Sequence, residues 1–242
     1  MQIQDYLNDK SKSWQLFDQE VSTHYDKISD IISFRLYRRW CRALAKALPN
    51  KDTLKILDLA TGTGAIPTAI HNVRFHNQDQ ILGVDLSTEM IDIFKQKCQH
   101  NQALADKVEL QRGDATQLEL ADHSFDVVTM ACGIRNVNDA DQGMKEILRV
   151  LKPGGQVFFL EPSIPKNMIL KGIYLGYFRY LVPFVAGLFS NADAYRYFNR
   201  SVENFPYGEG LIAKMQANGF VECQWQKITL GAGALYIGRK AE

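Results

Sequence analysis

The residues best able to do chemistry lie at the ends of three apolar runs. The first run, Leu54–Leu59, leads into Leu57-Asp58-Leu59-Ala60-Thr61-Gly62-Thr63-Gly64. Glycines directly after a strand let the backbone turn sharply into a helix and approach a ligand closely. A dinucleotide site would carry three glycines spaced GxGxxG, and the third is absent here. The second run, Gln80–Val84, is closed by Asp85, twenty-one residues after Gly64. An acid in that position can accept hydrogen bonds from both ribose hydroxyls of an adenosine. It can also simply cap the helix that Ser87 opens. The third run, Val108–Leu110, leads to Arg112-Gly113-Asp114-Ala115. Asp114 can accept from the exocyclic amine of adenine, or serve as a solvated turn acid.

The elements that must position these residues follow from the hydrophobic pattern. The runs read as buried strands, and helices are expected from Gly64 to about Val73 and over Thr88–Gln99. A fourth strand, Phe125–Met130, precedes Cys132-Gly133. A helix from about Ala140 to Leu151 is stopped by Lys152-Pro153-Gly154-Gly155, and a fifth strand spans Gln156–Leu160. Strands alternating with helices make βαβ units, hence an α/β doubly wound, mostly parallel sheet covered on both faces. At the end, Gly210–Ala217 reads as a helix stopped by Asn218-Gly219. Phe220–Ile228 and Ala234–Arg239 read as edge strands able to pair antiparallel.

Two pieces stand outside this repeat. Residues 1–50 read as helical, with Trp14, Leu16, Phe17, Val21, Ile28, Ile32 and Leu36 as apolar positions. Residues 162–205 read as an insertion rich in Tyr174, Tyr177, Phe178, Tyr180, Phe184 and Phe189. Both are expected over the C-terminal ends of the strands, where open α/β sheets bind ligands. The expected organisation is one domain over 1–242. It has an N-terminal helical cap (1–50), a donor-binding core (51–161), a helical lid insertion (162–205) and a C-terminal helix with edge strands (206–242).

Composition narrows the function. With 46% hydrophobic and 23% charged residues, the chain is an ordinary globular protein and not a disordered one. A net charge of +1 provides no field to recruit nucleic acid, so no nucleic-acid partner is expected. Cys41, Cys98, Cys132 and Cys223 show no CxxC spacing and read as free thiols of a reducing compartment. The five histidines form no HExxH frame, and no metal site is expected. Met1–Lys12 is polar and unlike a signal peptide. The apolar stretch Met168–Phe189 is broken by Lys171, Arg179 and Pro183, and reads as a lid and not a membrane span. A cytoplasmic protein is expected, with room for transient contact at a membrane surface and for a homodimer.

The acid and glycines of the first loop, the ribose acid of the second and the Asp-Ala pair of the third converge on one crevice. This arrangement resembles the class I, Rossmann-like methyltransferase fold. Later motifs resemble one family within it, the ubiquinone/menaquinone biosynthesis C-methyltransferases. Cys132-Gly133-Ile134-Arg135-Asn136-Val137-Asn138-Asp139 is similar to that family's FG(I/L)RNxxD block, and Arg149-Val150-Leu151-Lys152-Pro153-Gly154-Gly155 to a more widely shared one. Tyr195-Arg196-Tyr197-Phe198-Asn199-Arg200-Ser201 resembles its SYRYLxxS block. Thr229–Leu235 resembles its TxGxxAxH segment, and Tyr25-Asp26-Lys27, Ser33 and Arg38-Arg39-Trp40 resemble its N-terminal pattern. The likeness covers about residues 15–240. The chain departs from the pattern at Ala65, where an acid is usual, at Pro162, and at Tyr236, where a histidine is usual.

The resemblance implies a seven-stranded sheet and S-adenosylmethionine as methyl donor. Asp58, Gly62, Thr63, Gly64, Asp85, Asp114, Ala115 and Ala131 are its expected contacts. A sulfonium donor has no pyrophosphate, which accounts for the missing third glycine. The implied acceptor is a prenylated quinol, methylated on a ring carbon. Another small aromatic or natural-product acceptor stays open, and a nicotinamide-dependent oxidoreductase is the more distant alternative. Arg135, Asn136 and Tyr25 are the expected acceptor-side residues. A guanidinium stays protonated at neutral pH, so Arg135 is expected to hold an oxyanion or orient a water rather than act as a base. Arg135 and Asn136 can instead serve only the backbone of their loop, and Tyr25 can be a core aromatic.

Overall fold

The inner strands of the central sheet are apolar on both faces, as a parallel sheet covered by helices requires. The computed structural model describes residues 25–187 and 192–242; the side chains of Tyr25 and of residues 185–193 lie outside that description. Trp14, Leu16, Phe17, Val21 and Phe189 therefore also lie outside it. Helices α1 (Tyr25–Ile32) and α2 (Leu36–Ala47) precede β1 (Lys55–Leu59), α3 (Ala65–Val73), β2 (Gln80–Asp85) and α4 (Thr88–Gln99). A short α5 (Gln102–Ala105) leads to β3 (Val108–Arg112), β4 (Phe125–Ala131), α6 (Ala140–Val150) and β5 (Leu151–Pro162). Then come α7 (Met168–Gly176), a π-helical turn (Tyr177–Leu181), α8 (Val182–Gly187) and α9 (Ala192–Asn204). The chain closes with α10 (Glu209–Ala217), β6 (Val221–Ile228) and β7 (Gly233–Arg239).

The seven strands lie in the order β3-β2-β1-β4-β5-β7-β6, parallel except for β7, which runs antiparallel to β5 and β6. Strand order reverses between β1 and β4, and the crevice at such a switch point is where these sheets bind ligands. Alternation sorts the side chains to two cores. Leu57, Leu59, Val128, Met130 and Phe159 pack with Met144 and Ile147 of α6 and with Leu211 and Met215 of α10. Ile56, Val127, Phe158 and Leu160 pack with Cys41 and Leu44 of α2 and with Ile66 and Ile70 of α3. Among the described residues, no helix is long and apolar enough to cross a membrane.

Local chemistry sets the ends of the elements. Ser87 Oγ accepts from the Met90 N–H at 3.2 Å and caps α4, as expected. Gly219 ends α10 with φ +99°. One boundary differs from expectation. Lys152-Pro153-Gly154-Gly155 is not a loop before the fifth strand but an irregular stretch inside it. Phe125 pairs with Leu151, Val127 with Gln156, and the residues between form a bulge.

Gly64 caps α3 with φ +83°, and a Cβ there would lie 2.2 Å from the ring of Phe94, which is fully buried. Gly64→Ala is expected to cost about 2–4 kcal/mol of stability, combining left-handed strain with overpacking. Gly62, with φ +53° and no atom nearer than 4.0 Å to an added Cβ, carries the strain alone. Gly62→Ala is expected to cost about 1–2 kcal/mol. Urea denaturation of both variants checks the ordering.

Candidate functional site

A cavity of ≈ 340 Å³ opens at the C-terminal ends of β1, β2, β3 and β4. Its walls are the loops that follow those strands, together with Tyr37 of α2 and Phe198 of α9. Of the expected donor contacts, Gly62, Thr63, Asp85, Asp114, Ala115 and Ala131 line it.

Asp58 does not line it. Its side chain is buried beneath the first loop, where Thr61 Oγ1 donates to Oδ2 at 2.7 Å and Thr129 Oγ1 donates to Oδ1 at 2.6 Å. Burial pushes its pKa up to about 7, against the pull of those two hydroxyls. Asp58 thus ties the turn after β1 to β4 and shapes the cavity floor indirectly. Gly64 likewise stands outside the lining, pressed against Phe94.

Asp85 occupies the rim between the first two loops. Its Oδ2 accepts from the Gly62 N–H at 2.8 Å and its Oδ1 from the Ser87 N–H at 2.9 Å. Each carboxylate oxygen has further acceptor capacity. Burial raises its pKa, while the backbone donors pull it back. Asp114, more exposed, accepts on Oδ1 from the Thr116 N–H and hydroxyl, both at 2.8 Å. Adding a Cβ to Gly133 would bring it within 2.9 Å of the Ala60 Cβ, so the loops after β1 and β4 are in close contact. Ala60 and Cys132, one in each loop, both hold positive φ, +51° and +55°. Left-handed backbone at non-glycine residues stores strain and collects at ligand sites. The two acids, the open glycine turn and the size of the cavity fit a nucleoside-bearing donor.

The other end of the cavity centres on Arg135, in a 3-10 turn Ile134–Asn136 after β4. The side chain is only 3% exposed. Its Nη1 donates to Glu161 Oε2 at 2.7 Å, its Nε to Ser201 Oγ at 3.2 Å, and its guanidinium lies 4.7 Å from the centre of the Phe198 ring. Glu161 closes β5, is fully buried, and accepts a further bond from the Ile134 N–H at 3.2 Å. Burial raises the Glu161 pKa and Arg135 draws it back down. A buried pair of this kind holds its geometry firmly. Burial also lifts the Cys132 thiol to about 11, which keeps it protonated beside the pair.

Asn136 lines the cavity as expected, with both ends of its amide engaged. Nδ2 donates to the Cys132 carbonyl at 3.1 Å, and Oδ1 accepts from the Tyr197 hydroxyl at 3.3 Å. Part of its role is therefore to hold the loop to α9. Tyr25 opens α1, but its side chain lies outside the described residues. Its neighbour Asp26 accepts from Thr63 Oγ1 at 2.5 Å and from Lys97 Nζ, which also donates to the Thr63 carbonyl at 2.8 Å. The first described helix is thereby fastened to the glycine turn. Tyr236, one of the departures from the family pattern, lies outside the cavity lining; its hydroxyl accepts from the Gly208 N–H at 2.6 Å.

Sequence reasoning missed Glu161, Tyr37 and Asp26. Glu161 carried a usable signal: an acid closing an apolar run, as Asp85 closes β2. Asp26 stands in the Tyr25-Asp26-Lys27 stretch that carries the family resemblance, which marks Tyr25 and not Asp26 for the site; Tyr37 sits on an amphipathic segment with nothing to separate it from other polar positions.

Comparisons with known proteins agree with this geometry. Residues 6–240 match the model of the ubiE/COQ5 methyltransferase family. The chain is 38% identical over 234 residues to a ubiquinone/menaquinone biosynthesis C-methyltransferase UbiE of Geotalea daltonii, covering 97% of this chain and 99% of that one. It is 37% identical over 220 residues to a demethylmenaquinone methyltransferase of Lactobacillus johnsonii, covering 91% and 89%. In fold it is similar to a putative S-adenosyl-L-methionine-dependent methyltransferase of Methanococcus maripaludis. That match has a TM-score of 0.69 and 18% identity, and covers 93% and 94% of the two chains.

Proposed function

The chain belongs to the ubiE/COQ5 methyltransferase family, and from that premise we propose that it methylates a ring carbon of a prenylated quinol, with S-adenosylmethionine as donor, in the making of an isoprenoid quinone. The observation that carries this reading is the single cavity that joins the Asp85–Asp114 rim to the Arg135–Glu161 pair.

S-adenosylmethionine supplies a methyl group on a sulfonium, whose neutral thioether leaves as the ring carbon attacks. Asp85 holds the ribose hydroxyls, with Gly62, Thr63, Ala115 and Ala131 around the nucleoside and Asp114 toward the adenine amine. The quinol first gives up a phenol proton to water, and Arg135, already fixed by Glu161 and Ser201, holds the resulting phenolate oxygen as the ring carbon attacks the methyl. Fixed donors of this kind act without reorganising at the moment of reaction. The proton that leaves the methylated carbon passes to a water oriented by Arg135, because the guanidinium itself stays charged. Asn136 and Phe198 set the ring between the loop and α9. Tyr25 belongs to the segment that covers the donor. No covalent bond to the protein forms.

Residues 1–50 act as a cap and 162–205 as a lid within one domain. The aromatic side chains of the lid, Tyr174 and Phe178 (ring centres 4.4 Å apart) with Phe198 beyond them, provide an apolar path for a prenyl tail. The enzyme works from the cytoplasm and meets its lipid-borne acceptor at the membrane surface.

The proposal is tested by redox state. An oxidised quinone ring is electron-poor and a poor nucleophile. Methylation of a demethylated short-chain quinone is therefore expected only after dithionite or borohydride reduction, as followed by labelled methyl incorporation. Equal initial rates with and without reductant would contradict the quinol mechanism.

A further inference from the structure

Helix α1 has contacts toward both ends of the cavity. In its first turn, Asp26 Oδ1 accepts from Thr63 Oγ1 at 2.5 Å, and Oδ2 accepts from Lys97 Nζ. Lys97 Nζ also donates to the Thr63 carbonyl at 2.8 Å. Elements far apart in sequence thus meet on one residue of the glycine turn. Thr63 lines the donor end of the cavity, whereas Asp26 and Lys97 do not. The same turn rests on Phe94 of α4, one helical turn before Lys97.

Further along α1, Ile28 is buried against Val182 of α8 and against Ala194 and Tyr195 of α9. Ile32, Tyr177 and Phe178 pack on that cluster, and the Tyr177 hydroxyl donates to the Ile32 carbonyl at 2.8 Å. Phe178 stacks on Phe198 with ring centres 6.0 Å apart, and the Arg135 guanidinium lies 4.7 Å from the centre of the Phe198 ring. Asp26 and Ile32 are about 9 Å apart along the helix axis. One short rigid element therefore joins the glycine turn to the wall beside Arg135.

The clasp fixes position more than it adds stability. The Lys97 and Asp26 side chains are 37% and 41% exposed, and ion pairs open to water contribute little to folding. Asp26 spends one carboxylate oxygen on the Thr63 side chain and the other on the cation that grips the Thr63 backbone. Both bonds break if α1 lifts from the turn. Lifting α1 would also draw Ile28 out of its apolar cluster, so the two sets of contacts form and break together.

We propose that Asp26 is a positioning residue for the methyl transfer. Acting through Thr63 and Lys97, it locks α1 onto the glycine turn, and α1 carries that lock to the helical layer over the acceptor end. A donor seated against Thr63 favours the arrangement of the turn that Asp26 and Lys97 grip. It thereby orders the wall that receives the ring before the ring arrives. Two sites couple in this way when one packed element with two arrangements touches both. The inference deepens the reading of a donor end and an acceptor end in one cavity, and rests on it.

The test is hydrogen exchange of the full chain with and without saturating S-adenosylhomocysteine, in the absence of any acceptor. The dissociation rate of the same ligand is followed by stopped flow. In the parent, the ligand is expected to slow exchange about tenfold across residues 168–184. In Asp26→Asn and, separately, in Lys97→Met, that slowing is expected to fall below about twofold at full occupancy. The ligand is expected to leave both variants about five- to tenfold faster than the parent. Lys97→Arg keeps the charge and more than one donor, so most of both effects should return. Asp92→Asn/Lys95→Met removes an exposed ion pair elsewhere on α4 and should behave as the parent. No ligand effect on residues 168–184 of the parent would overturn the proposal, as would undiminished slowing in Asp26→Asn and Lys97→Met. A large fall in melting temperature with faster exchange throughout these two variants would also overturn it, because the clasp would then be a contact of the fold. Since the measurement needs no acceptor, failure to methylate quinols would count against the acceptor reading and leave this result standing.

Discussion

Arg135→Ala is expected to lower the single-turnover rate per folded molecule by about 100-fold or more, the scale seen for groups that stabilise transition-state charge. It is also expected to melt earlier, because it strands Glu161, fully buried, without its counter-charge. Breaking a buried pair from one side costs about 3–5 kcal/mol. Arg135→Lys separates the two effects. An ammonium can still neutralise Glu161, so most of the stability should return. It cannot reproduce the planar fork that spans Glu161 and Ser201 while facing the cavity, so only part of the rate should return. Donor affinity should change little in either variant, since the acids at the other end of the cavity hold the nucleoside. Stopped single-turnover kinetics, calorimetry of donor binding and thermal melting are needed together. A variant that melts early but reacts at the parent rate would make Arg135 a scaffold residue. The acceptor contacts would then have to be sought along Tyr195–Ser201.

Asp85→Ala is expected to weaken donor binding roughly ten- to a hundredfold, for the loss of charge-assisted bonds worth about 1.5–3 kcal/mol. S-adenosylhomocysteine should weaken in step, because the ribose is common to both ligands. The fold should suffer less, since the Gly62 and Ser87 N–H groups that now bond to Asp85 lie near a cavity that water can enter. A pH dependence follows from the same residue. Burial raises the Asp85 pKa, and a protonated carboxyl loses acceptor capacity. Donor affinity should therefore fall on acidification, beginning at a higher pH than an ordinary carboxylate would give, and Asp85→Ala should flatten that part of the profile. Unchanged donor affinity with a normal melting curve would remove Asp85 from the site.

The sheet was legible because its signals are local. Apolar runs closed by glycine or acid mark β1 to β4, and the Ser87 cap and the Gly219 stop were both visible as residue types. The bulge at Lys152–Gly155 was not. Pro-Gly-Gly reads as a loop, and only the pairing of Leu151 and Gln156 with β4 on either side of it keeps it inside a strand. Asp85 could be placed from spacing alone, since the distance from the glycine turn is fixed by one βαβ unit. Asp58 was legible as a strand-end acid, but its direction was not. Its inward turn depends on Thr129, seventy-one residues away.

The acceptor end was the least legible part. Arg135 stood out through its motif, while its partner Glu161 lies one strand further on and Ser201 sixty-six residues away. Asp26 reaches the glycine turn through Thr63 and Lys97, and that triad spans seventy-one residues. Such contacts depend on how helices outside the repeat settle over the sheet, which no periodicity encodes.

The most direct test of the account uses a donor carrying a trideuteromethyl group and a borohydride-reduced, short-chain demethylated naphthoquinol, with the product read by mass spectrometry and proton NMR. The account predicts the deuterated methyl on a ring carbon, loss of the proton that carbon carried, both ring oxygens unmethylated, and no product from Arg135→Ala within the time of a parent turnover. A methyl ether on either oxygen, or transfer to a soluble phenol with none to the quinol, would contradict it.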